Sequence, residues 1–154
     1  MSDTDTHLST FSSTEQAMLA AIVDTIIPAG PAKAGTGGVA TIGALSVGVD
    51  KFLQKLIDDC YEKPAQDNVK WQLAVVDASA RATYGKPFAD CTGPQKKDLV
   101  LKGLASADKE GKDFFVSMKS ETIRGFNTSQ QVMEGWLNYK VAPGHYYGCV
   151  TIKT

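Results

Sequence analysis

Apolar residues recur three and four positions apart along most of this chain, the spacing of a helix that buries one face. The first run is Met18, Leu19, Ile22, Val23 and Ile26. Ser12 stands three residues before Glu15, the pair in which a hydroxyl caps a first-turn amide and the carboxylate reaches back to the cap. Pro28 stops the helix. A second stripe is Val49, Phe52, Leu53, Leu56, Ile57 and Cys60, with Asp50, Lys51, Lys55 and Asp58 on the opposite side. Its periodicity puts Cys60 in the core, and Pro64 marks the helix end. A third helix runs from about Gln66 through Val69, Leu73, Val76 and Ala80, flanked by Trp71 and Val75, and leaves at Tyr84 and Gly85. Lys86, Pro87 and Phe88 read as a turn.

Thr92 followed by Pro94 and Gln95 is another helix start, carrying Leu99, Leu101 and Leu104. The richest aromatic helix follows, with Phe114, Phe115, Met118, Thr122, Ile123 and Phe126, and with Gly125 and Asn127 near its end. A short sixth helix starts at Thr128 or Ser129 and carries Val132, Met133, Trp136 and Leu137. The one strand-like run is 149–152. These patterns predict an all-α single domain of five or six helices over residues 12–154, behind a polar, disordered lead over 1–11. No fixed-period repeat is present.

Two segments depart from the helical pattern. Residues 29–48 hold Gly30, Pro31, Gly35, Gly37, Gly38, Gly43 and Gly48, which predicts a long loop. Loops of that length in compact domains usually meet a ligand or partner. A phosphate cradle does not fit, because no strand precedes Gly35 and no Gly-Lys-Ser/Thr ending follows. The other segment is the tail, with Pro143, Gly144, His145, Tyr146, Tyr147, Gly148, Cys149 and Val150. It is too apolar for a solvated terminus, so it is expected to lie on the protein's own helices or on a partner.

Composition narrows the function. The 154 residues are 43% hydrophobic and 21% charged with a formal net charge of -1, an ordinary globular balance that gives no electrostatic drive toward nucleic acid or anionic membrane. Residues 1–13 carry Asp3 and Asp5 and no Lys or Arg, unlike the start of an export signal, and no run approaches the ~20 apolar residues of a membrane span. The histidines are His7 and His145, so a metal site or nucleophilic triad would have to converge on His145 alone. Asp58 and Asp59 point about 100° apart on a helix, which separates them as an acid pair and leaves them solvated. Glu121 and Arg124 read as a surface pair.

The cysteines, Cys60, Cys91 and Cys149, are odd in number and lack metal-ligand spacing. Idle or buried thiols are the plain reading. In an oxidising compartment the alternative is one thiol bonding a partner, with Cys149 in the tail as its candidate, while Cys60 and Cys91 pair or stay buried. Phe114 and Phe115 are adjacent and face different sides of a helix, so at least one is expected to reach an interface rather than the core.

The order Thr14-Glu15, Ile26-Ile27-Pro28, the Gly-rich loop, Phe114-Phe115, Thr122-Ile123-Arg124-Gly125-Phe126 and Tyr147-Gly148-Cys149 resembles the small subunit, subunit 3, of gluconate 2-dehydrogenase-type complexes. The resemblance implies a non-catalytic helical subunit that binds a flavoprotein of the glucose-methanol-choline type. That flavoprotein holds FAD, oxidises a sugar, sugar acid or glycoside, and commonly passes electrons to a cytochrome c. The resemblance further implies a periplasmic location reached together with the partner, with the cytoplasm as the alternative. Phe114, Phe115, Tyr146, Tyr147 and Cys149 are the expected partner contacts, and no catalytic, cofactor or metal residue is expected in this chain. The competing readings are a stand-alone helical adaptor and an enzyme using Cys149 with His145.

Overall fold

The computed structural model describes residues 10–31, 41–142, 144 and 148. Among these, six α-helices and two short 3-10 turns are present and no strand forms. The helices are α1 Ser13–Ile26, α2 Val49–Cys60, α3 Lys63–Tyr84, α4 Gly93–Leu104, α5 Lys109–Asn127 and α6 Gln130–Gly135. The strand-like run at 149–152 lies outside the described residues.

Helix starts follow local chemistry. The Ser12 amide donates to Glu15 Oε2 at 2.8 Å and Ser12 Oγ accepts from the Glu15 amide, which is the expected reciprocal cap of α1. The Thr92 amide donates to Gln95 Oε1 at 3.0 Å, and Asp108 Oδ2 takes the Gly111 amide at the start of α5. Pro64 belongs to the first turn of α3 instead of ending α2, because an amide there has no helical partner to lose. Gln66 then closes α2 from the neighbouring helix: its Nε2 is within 3.0–3.2 Å of the carbonyl oxygens of Ile57, Asp58 and Tyr61, groups a helix end would otherwise leave orphaned.

Packing is centred on α1 and α5, each of which touches α2, α3 and α4 as well as the other. The main core collects Leu19, Ile22, Ile57, Leu73, Phe88 and Met118, all fully buried, together with Phe114 and Phe115. A second cluster of Val23, Ala44, Val49 and Leu53 is covered by Ile27, Phe52 and Phe126 and joins the loop to α1, α2 and α5.

Two residues that the sequence assigns to the polar lead, Thr10 and Phe11, are built into the fold. Phe11 is 4% exposed in the main core, Lys70 Nζ lies 5.6 Å from its ring centroid and donates to Thr10 O, and Gln16 Nε2 holds the Phe11 carbonyl at 2.9 Å. Thr10 also donates to Asp58, so that carboxylate ties the entering chain to α2 and is not merely solvated. Residues 1–9 lie outside the described residues.

The long loop is closed at its base. Gly30 and Thr41 exchange two backbone hydrogen bonds of 3.2 Å, and the Ala44 amide donates to Ile27 O at 2.9 Å. A 3-10 turn at Leu45–Val47 leads into α2. Part of what the sequence marks as irregular is therefore built into the fold, and 32–40 lies outside the described residues.

Candidate interaction surface

Phe114 and Phe115 are not surface anchors. Each is 6% exposed, and their rings meet edge to face with centroids 5.2 Å apart. The expectation that one must reach an interface holds only if α5 has a single covered side. Because α1, α2, α3 and α4 enclose it, two neighbouring positions both find core, and Phe115 packs on Gly103 of α4. Of the other expected contacts, Tyr146, Tyr147 and Cys149 lie outside the described residues, as does His145.

Cys60 and Cys91 are both free thiols. Cys60 is exposed at the end of α2, where the apolar stripe has rotated away from the core, so the predicted burial does not hold. Cys91 is buried, and its Sγ lies 3.4 Å from the Pro87 carbonyl oxygen. The suggested pairing of Cys60 with Cys91 is not made in this fold.

The concentration of exposed apolar surface lies just past α6. Trp136 is 53% exposed, and Leu137, Tyr139 and Val141 are half exposed or more as well. The backbone beneath them is nevertheless fixed. Val132 is buried, its carbonyl accepts the amides of Trp136 and Leu137 at 3.0 Å, and the Tyr139 amide reaches back to Met133 O at 2.8 Å. Asn138 makes this return with φ of +51°, a left-handed conformation that asparagine tolerates better than most residues. Periodicity alone assigns Trp136 and Leu137 to a packed helical stripe. The signal against that assignment is Gly135 followed by Asn138, which ends α6 before a second buried turn can form.

Shifted titrations in the described region belong to structural contacts. Asp77 Oδ1 accepts the Phe88 amide at 2.9 Å and Oδ2 accepts Arg81 Nε at 2.7 Å, which locks α3 to the turn carrying the fully buried Phe88. Burial pushes the Asp77 carboxyl upward, but the bonds from Arg81 and Phe88 and the Arg81 charge outweigh it and hold the group below its ordinary 3.8. Asp98 is lowered by Lys102 and by the Tyr84 hydroxyl, which donates to it at 2.7 Å. A carboxylate lowered by folding stabilises the fold above its unfolded value, and that contribution drains as pH falls through the folded value. Stability is therefore expected to decline on acidification below about pH 4. Asp77→Asn should flatten that decline while costing about 1–2 kcal/mol near neutrality, as read by urea melts across the acid range.

Among the described residues, no group of three or more His, Cys, Asp or Glu side chains is arranged to hold a metal ion. No described helix is long and apolar enough to cross a membrane. What remains is a helical scaffold with a stiffly mounted apolar segment. The family model described as gluconate 2-dehydrogenase subunit 3 matches residues 13–144, nearly the whole described chain. The chain belongs to the gluconate 2-dehydrogenase subunit 3 family. No curated protein and no solved structure matches it.

The residues that carry the subunit 3 resemblance are largely architectural. Thr122 is fully buried and its hydroxyl donates to Met118 O at 2.6 Å. A Cβ on Gly125 would lie 2.6 Å from the Phe52 ring, so only glycine lets α5 approach α2 this closely. Arg124 stands over that same ring at 5.8 Å and pairs with Glu121 at 2.5 Å. Phe126 and Ile27 cover the second cluster, while Ile26 packs on the main core.

Proposed function

We propose that this chain is the non-catalytic small subunit of an FAD-dependent sugar or glycoside dehydrogenase, binding and stabilising its glucose-methanol-choline-type flavoprotein. The observation that carries this reading is the run of Trp136, Leu137, Tyr139 and Val141, four large apolar side chains held outward within six residues on a hydrogen-bonded turn. Aromatic and aliphatic groups fixed in this way resemble the anchors of protein interfaces, where covering them offsets the cost of association. Membership of a dehydrogenase subunit family supplies the partner class. In this reading the partner holds FAD and oxidises the sugar or glycoside, a cytochrome c takes the electrons downstream, and the pair works in the periplasm.

The test is co-expression of tagged chain with such a flavoprotein. The intact chain should bring down a yellow, flavin-bearing protein, and the variant Trp136→Ser, Leu137→Ser, Tyr139→Ser should lose it while keeping its helical circular dichroism. Retention of the flavoprotein by that variant would remove this segment from the interface. A purified chain that itself held flavin and turned over substrate would end the accessory-subunit reading.

A further inference from the structure

Helix α3 is the longest of the described helices, 22 residues and so about 33 Å, and one side of it is open. Trp71 is 65% exposed, more than any other aromatic side chain among the described residues, and Val75 is 42% exposed. Ala74, Ala78 and Ala82 are exposed beside them. At about 100° of rotation per residue these five side chains share roughly 100° of arc. Lys70, Asp77 and Arg81 all fall outside it. An outward helix face normally carries its charges in the middle, and this one carries a tryptophan and methyl groups.

The face is complementary to a copy of itself turned end for end. Trp71 and Val75 stand four apart and form a ridge, while Ala74, Ala78 and Ala82 form the neighbouring row, low enough to act as a groove. A two-fold axis midway between residues 76 and 77 sets Trp71 against Ala82 of the second copy and Val75 against its Ala78. Each bulky side chain then meets a methyl group, and the same contacts are made twice, as an isologous pair requires.

Charge fits the same register. Asp67 and Lys86 are both exposed and lie equally far along the chain from that midpoint, so the reversal brings each carboxylate to the other copy's ammonium group. Within one chain Asp67 pairs with Lys63 at 2.7 Å, an exposed contact that holds it only weakly. A parallel pairing would instead oppose Trp71 to Trp71 and Asp67 to Asp67. A single helix pair covers less than the ~800 Å2 per partner of a standard interface, so the association is reversible.

We propose that this chain pairs with a second copy of itself through the outer face of α3, antiparallel, with Trp71 on Ala82 and Asp67 by Lys86. The surface shares no residue with the segment after α6, and the inference does not depend on the accessory-subunit reading.

The test is sedimentation of the full chain from about 1 to 100 µM, which should show monomer and dimer in equilibrium. Ala78→Glu introduces a good helix former at an exposed position and sets like charges beside the axis. It should weaken the dimer tenfold or more with the melting temperature unchanged. Asp67→Lys should weaken it about threefold, in the range of exposed charge pairs, and adding Lys86→Asp should restore it. A chain that stays monomeric throughout overturns the proposal, as does a dimer that tolerates Ala78→Glu or one lost only when Trp136, Leu137 and Tyr139 become Ser. Failure of the second charge reversal to restore association overturns the antiparallel register. Every measurement uses the chain alone, so a negative result here leaves the flavoprotein reading standing.

Discussion

Phe114→Ala is expected to destabilise the chain by about 3–5 kcal/mol, the range for deleting a buried phenyl ring. The ring is 6% exposed, meets Phe115 edge-on and belongs to the cluster gathered around α1 and α5. Its removal forfeits transfer free energy and opens a cavity in the helix that touches most of the others, where relaxation is hardest. A domain of this kind has about 5–15 kcal/mol to lose, so urea melts should show a midpoint shifted far down or no cooperative transition. Trp136→Ser should stay within about 0.5 kcal/mol of the parent, as exposed positions do. If Phe114→Ala melted like the parent, the placement of this ring in the core would be wrong. The contrast also guards binding assays, because a Phe114 variant that fails to hold a partner has lost its fold first.

Gly43→Ala is the second large effect, about 3 kcal/mol, from overpacking plus the loss of neighbouring hydrogen bonds. A Cβ at this position would sit 2.4 Å from the backbone nitrogen of Ala29 and 2.9 Å from its Cα. Main chain cannot swing aside as a side-chain tip can, so the two arms of the loop must separate. The bonds at risk are the Gly30–Thr41 pair and the Ala44 amide to Ile27 O, and the fully buried Ala44 would be drawn out of the second cluster. Hydrogen exchange should show the Thr41 and Ala44 amides losing protection while amides in the middle of α3 keep theirs. Uniform protection in the variant would contradict the close approach.

Helix identities are legible because each long helix repeats its apolar positions over several turns. The stripe of α2 and the Ser12–Glu15 cap are local, and local signals survive in a sequence. Phe11 is not legible, since a single apolar residue among Ser and Thr has no period, and the core it joins and the facing Lys70 and Asp58 lie far along the chain. Periodicity gives Leu101 to the core, yet it faces outward while Val100 is buried, because a short helix offers too few turns to fix its phase. The enclosure of α5 is a tertiary fact, and without it Phe114 and Phe115 look like anchors when they are ballast. Of the surface now favoured, Trp136, Leu137 and Tyr139 stand out in the sequence as aromatic or apolar residues. Their exposure depends on the turn at Asn138, and that of Trp71 on which side of α3 its neighbours leave open.

The clasp between Gly30 and Thr41 has a consequence for how this scaffold diversifies. With its two ends already stitched, the stretch between them can change in length at little thermodynamic penalty, since closing a loop costs only about 0.6 kcal/mol more for each doubling. Insertions there do not propagate into the helices, whereas a single added residue inside α5 would rotate Gly125 away from Phe52. Evolution of new partners can therefore tinker with this hem while the woven part of the garment stays untouched.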